Sequence, residues 1–327
     1  MKKWIATYLL AGALALVALV GAELGWRAQG YAPGIVDSSA LWALQRDRAS
    51  SYGADALVFI GASRTLFGID LPYLRERLPA YRPVMLAVNG HYPLNMLKAL
   101  AEDDRFSGTV VVDIDSRGLA KYNHDMQREY VSFYRDQWSP AQRWHRELLS
   151  VWQSMAVVAK SDFAIVRSLV RRMDGLPLPF YNSTMDADRN SRLDFSPVNP
   201  AALADNFAVG LEADLRANPP PPPEQWLHDL AMVPAWVEAI HGRGGSVIFY
   251  TPPVGGRQSS LAESAYPRSL YWDAFVRGHG VRGLLAEDIP GMADIPLPDE
   301  SHMDWRNKPA YTRLLVDALL AAGYLHE

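Results

Sequence analysis

The chain has 327 residues, with 32 Lys and Arg against 36 Asp and Glu, a formal net charge of −4 and 49% hydrophobic residues. That length can bury a large core in one large domain or two, and the slight acidic balance carries no footprint for nucleic acid. There is no cysteine, so disulfides, thiolate zinc sites and iron–sulfur clusters are excluded.

Met1-Lys2-Lys3 precedes an uncharged run over 4–22. A hydrocarbon core needs roughly 17–25 apolar residues, so this run is long enough to span one. The two lysines favour the cytoplasmic side, which sends the rest of the chain outward. Val20-Gly21-Ala22 also fits a signal-peptidase site. The length of the run favours an uncleaved anchor over 1–30, in a single-pass inner-membrane protein with a periplasmic domain. No cysteine follows the run, which excludes a lipoprotein anchor. Residues 31–56 mix Gly, Pro, Ser and charge around an apolar patch at 41–44, and read as a connector.

Leu57-Val58-Phe59-Ile60 then runs into Gly61-Ala62-Ser63-Arg64. A short continuous apolar run closed by glycine predicts a buried strand ending in a tight turn. A helix is predicted over 66–78. Ser63 therefore stands at the carboxyl end of a strand, where open α/β sheets hold their ligands. It is either an N-cap, common at such turns, or a nucleophile. A second strand over 84–88 leads to Asn89-Gly90-His91-Tyr92-Pro93 and a helix over 94–101, and a third strand covers 109–114. Strands alternating with helices predict a parallel sheet.

The pattern breaks over 116–243. Residues 116–175 read as helical and aromatic, with ten Lys and Arg against six Asp and Glu. Their apolar stripe is core by default, with a lid or a docking surface as the functional alternative. Residues 176–200 read as loop, 201–216 as helix, Pro219 to Pro223 as an extended spacer, and 224–241 as a second amphipathic helix. The sheet resumes at 246–250 and is followed by a helix over 262–278 and a short strand at 281–285. Asp299-Glu300-Ser301-His302 then precedes a helix over 308–322. Residues three apart can face one side, so Asp299 can hold one ring nitrogen of His302 while the other faces Ser63. That is the arrangement a serine nucleophile needs. The eight histidines form no metal-ligand spacing, so no metal is expected.

Together the two ends resemble the SGNH/GDSL hydrolase superfamily. Gly61-Ala62-Ser63-Arg64 is similar to its first block, in the Gly-Ser-Ser-Arg form of membrane-anchored members, and Asp299 with His302 is similar to its last. Leu86-Ala87-Val88-Asn89-Gly90 is similar to the second block, whose glycine supplies an oxyanion-hole N–H. The third block supplies an Asn after a later strand. Here that strand ends Asp113-Ile114-Asp115-Ser116-Arg117, which leaves Asn89 as the candidate for a third donor. The resemblance covers 57–115 and 244–322.

It implies an α/β fold: a three-layer α/β/α, flavodoxin-like domain with a central, mainly parallel sheet over 57–327, carrying a helical and loop insertion at about 116–243. It also implies Ser63, His302 and Asp299 as the catalytic residues, an oxyanion hole at Gly90 and Asn89, and no cofactor. Arg64 and His91 are candidates for substrate binding. Anchored members of the family O-acetylate polysaccharides or D-alanylate teichoic acid. The expected activity is accordingly acyl transfer from an ester donor to a cell-envelope polysaccharide, beside a multi-spanning membrane acyltransferase. A plain esterase and a non-catalytic scaffold protein are the alternatives.

Overall fold

The computed structural model describes residues 2–177 and 180–327. Met1 of the expected anchor, and Leu178 and Pro179 of the expected 176–200 loop, lie outside the described residues. Among the described residues seven strands follow in chain order: β1 (Ala56–Ile60), β2 (Arg82–Met85), β3 (Thr109–Asp113), β4 (Ser183–Met185), β5 (Ser191–Leu193), β6 (Ser246–Thr251) and β7 (Arg282–Leu285). Five make one sheet in the order β2-β1-β3-β6-β7, and every neighbouring pair is parallel. β4 and β5 pair antiparallel by themselves, inside the stretch expected as loop.

The sheet is parallel because its strands are apolar on both sides and covered on both sides. Along β1 the residues alternate between two cores. Val58 and Ile60 join Val84, Val110, Val112, Val247 and Phe249 on one face. Leu57 and Phe59 join Met85, Val111, Ile248 and Tyr250 on the other. Helices Leu94–Ala101, Val233–His241 and Trp272–His279 cover the first face, and the carboxyl-terminal helix Lys308–Ala321 covers the second. The result is a three-layer α/β/α domain. The chain leaves β1 for one neighbour, β2, and then returns past it to β3 on the other side. The carboxyl ends of β1 and β3 therefore flank the switch point, the crevice that such sheets use for ligands.

Three helices expected as single rods are each broken in two: Ser63–Gly68 and Leu71–Arg77, Pro223–His228 and Val233–His241, Gly256–Ala265 and Trp272–His279. Pro72 and Pro234 stand in the first turn of the second member of their pairs, and Pro267 stands in the break between the members of the third. Proline fits the first turn of a helix but not its interior. Asp70 completes one restart by accepting the Tyr73 N–H.

The stretch 31–56 is not a connector. Residues Ser39–Ser51 form a helix capped by Ser38, whose hydroxyl accepts the Leu41 N–H. Leu41, Trp42 and Ala43 are fully buried, and the Trp42 indole donates to the Leu86 carbonyl at 2.9 Å. Gln45 and Arg46 are buried with them. A helix buried nearly all round has no polar stripe to reveal it, so only its apolar patch was visible.

The amino-terminal helix Lys2–Ala28 has no buried residue. Its 27 residues rise about 40 Å at 1.5 Å each, more than the roughly 30 Å of a hydrocarbon core. Among the described residues it is the one helix long and apolar enough to cross a membrane.

Candidate active site

β1 delivers the chain to Gly61 with no room for a side chain. A Cβ there would lie 2.7 Å from the Asp113 Cβ and 3.1 Å from the Thr65 Cβ. Ala62 takes the N-cap position without any capping side-chain bond, and Ser63 is the first residue of the helix. The Ser63 hydroxyl is thus not a cap. Its Oγ lies 2.8 Å from His302 Nε2. On the other side of the ring, His302 Nδ1 lies 2.9 Å from Asp299 Oδ2.

Asp299 is buried, and its Oδ1 accepts the N–H groups of Ser301 and His302 at 3.0 and 2.6 Å. Burial pushes its carboxyl up, but the bonds from the His302 ring and these two amides outweigh that and hold it below the ordinary 3.8. An ionised Asp299 accepts only, so Nδ1 carries the hydrogen and Nε2 is left to accept from the Ser63 hydroxyl. The serine, imidazole and carboxylate form one hydrogen-bonded line, able to move a proton off Oγ as the oxygen attacks an electrophile.

The turn bearing Asp299 and His302 is pinned from helix Gly256–Ala265. The buried Gln258 side chain donates to the Asp299 carbonyl at 2.7 Å, and the Gln258 N–H donates to the Glu300 carboxylate. Gly256 sits at φ +50 against that carboxylate, where a Cβ would overlap Glu300 Oε1.

A second polar group closes the switch point behind Ser63. Arg64 donates to Asp115 Oδ2 at 2.7 Å. Arg117 bridges the Tyr92 hydroxyl and Asp214, both at 2.7 Å. Burial pushes the Asp115 carboxyl up, but the charges of Arg64 and Arg117 leave it below its ordinary value. Asp113, at the end of β3, accepts from the Thr65 hydroxyl. Burial pushes its carboxyl up to about 6, against the opposing charge of Arg64.

These groups open on a cavity of about 550 Å³. Ser63, Arg64, His302 and Gly90 all line it. Gly90 has φ +73, a left-handed conformation in which glycine is unstrained. Asn89 and His91 lie elsewhere. Asn89 is exposed and outside the cavity lining, and its carbonyl meets His91 Nδ1 at 2.8 Å. The His91 ring packs on Tyr130. Val88 and His91 form an isolated antiparallel bridge, and neither Asn89, expected as a third donor, nor His91, expected at the substrate, is among the residues that line the cavity. Arg64 lines the cavity while paired with Asp115.

Several lining residues had no signal in the sequence. Phe207, from the insertion helix Pro200–Ala217, stands with its ring 5.6 Å from the His302 ring. Tyr92 and Arg117 join from the loops after β2 and β3. Among the described residues no group of His, Asp or Glu is arranged to hold a metal ion.

No protein-family model matches the chain, and no curated protein matches it. Among solved structures, that of TesA is similar, with 12% identity and a TM-score of 0.34 over 81% of this chain and 97% of that one.

Proposed function

We propose that this chain is an SGNH-type serine acyl-transfer enzyme. On this reading the helix Lys2–Ala28 anchors it in the inner membrane and places the α/β domain in the periplasm. The observation that carries the reading is the line Asp299–His302–Ser63, with contacts of 2.9 and 2.8 Å, opening on a cavity at the switch point of the sheet. Ser63 Oγ attacks an ester carbonyl while His302 Nε2 takes its proton. Asp299 holds the ring in the required tautomer and stabilises the imidazolium. The Ser63 N–H, in the first helical turn, has no acceptor within its own helix. It and the Gly90 N–H are assigned to the oxyanion of the tetrahedral intermediate. His302 then protonates the departing alcohol, leaving acyl-Ser63. The second half runs in reverse: His302 deprotonates an incoming hydroxyl, which attacks the acyl carbon and releases Ser63.

The acceptor on this reading is a sugar hydroxyl of a cell-envelope polysaccharide. The anchor holds the domain at the membrane surface where such polymers pass. An acyl group reaching that side must first cross the bilayer, which is the task assigned to a multi-spanning membrane acyltransferase partner. Hydrolysis by the same acyl-Ser63 is the second reading, because nothing in the triad itself excludes water as acceptor.

The test is turnover of a chromogenic acetyl ester by the full-length protein, with and without envelope oligosaccharide. Transfer predicts faster release of the chromophore when glycan is added, together with acetylated glycan. Rapid turnover indifferent to any envelope glycan would replace transfer by hydrolysis.

A further inference from the structure

Helix Pro140–Met155 is packed inside out. Arg146, Ser150 and Gln153 are its buried residues, whereas Trp144, Leu148, Val151, Trp152 and Met155 are exposed. The contrast is large: Arg146 is 3% exposed and Leu148 is 68% exposed. The inner face is satisfied by its own polar network, in which Arg146 donates to Ser150 Oγ and Gln153 Oε1. Gln153 Oε1 also accepts the Val36 N–H. The outer residues recur at 144, 148, 151, 152 and 155, a single apolar stripe at helical spacing. The hydrophobic effect normally turns such a stripe inward.

The next helix repeats the pattern. Ile165–Met173 has no buried residue and exposes Val166, Leu169, Val170 and Met173, again one stripe. It carries Arg167, Arg171 and Arg172 and no acidic residue. The first helix, and the short turns over 157–163 that lead into the second, meet the carboxyl-terminal end of the apolar helix Lys2–Ala28. Arg27 donates to the Met155 carbonyl at 2.7 Å, and Glu23 accepts the Val158 N–H at 3.1 Å. The Trp26 indole donates to the Phe163 carbonyl, with the two rings 5.1 Å apart. The exposed apolar stripes are thus joined to the point where the helix leaves its own apolar span.

We propose that Pro140–Met155 and Ile165–Met173 form a collar that lies in the lipid interface of the bilayer crossed by Lys2–Ala28. An exposed apolar stripe rimmed by arginine and tryptophan is the composition of interfacial helices, and the arginines favour a surface of anionic lipid. The collar holds the domain against the membrane in one orientation, where a single flexible tether would let it swing. This proposal rests on the anchor and not on the chemistry of Ser63.

The chain has no cysteine, so each position can be labelled singly. Full-length Leu148→Cys, Leu169→Cys, Leu14→Cys and Arg277→Cys variants carry an environment-sensitive fluorophore in phosphatidylcholine–phosphatidylglycerol liposomes. Leu14 reports the anchor. Arg277 is exposed on helix Trp272–His279, beside the edge strand β7 opposite β2. The collar predicts that labels at 148 and 169 shift to the blue, are quenched by spin-labelled lipid and are shielded from iodide, as at 14, while 277 stays open to iodide. Quenching by lipid at 14 with free iodide access at 148 and 169 would keep the anchor and overturn the collar. Iodide access at 14 as well would overturn both. Shielding of 148 and 169 in native membranes but not in liposomes would assign the face to a protein partner and also overturn the lipid collar.

Discussion

Ser63 Oγ and His302 Nε2 lie 2.8 Å apart although 239 residues separate them in the chain. β1 and the loop before the last helix bring them together at one edge of the sheet, so the contact depends on the whole domain being closed. Groups that act as a unit lose activity as a unit. Ser63→Ala and His302→Ala are each expected to lower kcat for a chromogenic acetyl ester on the order of 10⁶-fold, with the double variant no worse than either. Asp299→Ala is expected to lose less, on the order of 10⁴-fold, because in the proposed mechanism Asp299 orients the base and takes no proton.

Gly61→Ala tests the turn that presents Ser63. The added methyl would press on Asp113, at the packed end of β3, and on Thr65, buried in helix Ser63–Gly68. Overpacking of this kind costs about 1–3 kcal/mol. Denaturant unfolding should show that loss, and ester turnover should fall with it because Ser63 is displaced from His302.

Asp113 sets a pH dependence of stability. Its carboxyl is pushed up to about 6 in the folded chain, from an ordinary 3.8. The folded state therefore holds a proton that the unfolded chain releases between those values. The contribution is fully present below about pH 4 and is lost as pH rises through about 6. Asp113→Asn removes that slope, so the variant should gain on the parent by about 2 kcal/mol between pH 4 and 7 in unfolding measurements. Asp299 has the opposite sign. Its depressed carboxyl contributes stability above the ordinary value, and this is lost as pH falls below it.

Trp42→Ala tests whether helix Ser39–Ser51 belongs to the domain. Trp42 is fully buried against the sheet and donates to the Leu86 carbonyl. Truncating a buried Trp costs about 3–5 kcal/mol. Calorimetry should find the whole domain destabilised by that amount, whereas a mere connector would leave its melting unchanged.

The parts of this molecule that were legible are those whose physics is local. Leu57 to Ile60 reads as a buried strand because both faces are covered and no polar alternation interrupts it. Ser63 stood out by following that strand and a glycine, and Asp299 and His302 by their spacing of three. The breaks at Pro72, Pro234 and Pro267 were also written in the sequence, but helical spacing on either side of each proline outweighed the proline itself. What was hidden depends on distant chain segments. Phe207 reaches His302 only because helix Pro200–Ala217 folds back over the cavity and packs on helix Gly256–Ala265. Gln258 reaches the Asp299 carbonyl across 41 residues. Asn89 and His91 are not among the residues lining the cavity, although Gly90 between them is, a difference that no residue type announces.

The most direct test of the account is the site of covalent acylation. Full-length protein is mixed with an activated acetyl ester, quenched early, digested and read by tandem mass spectrometry. The account predicts one acetyl group on Ser63, absent from Ser63→Ala and slow to form in His302→Ala. Acetylation spread over surface lysines with Ser63 unmodified, at the same rate in parent and Ser63→Ala, would contradict it.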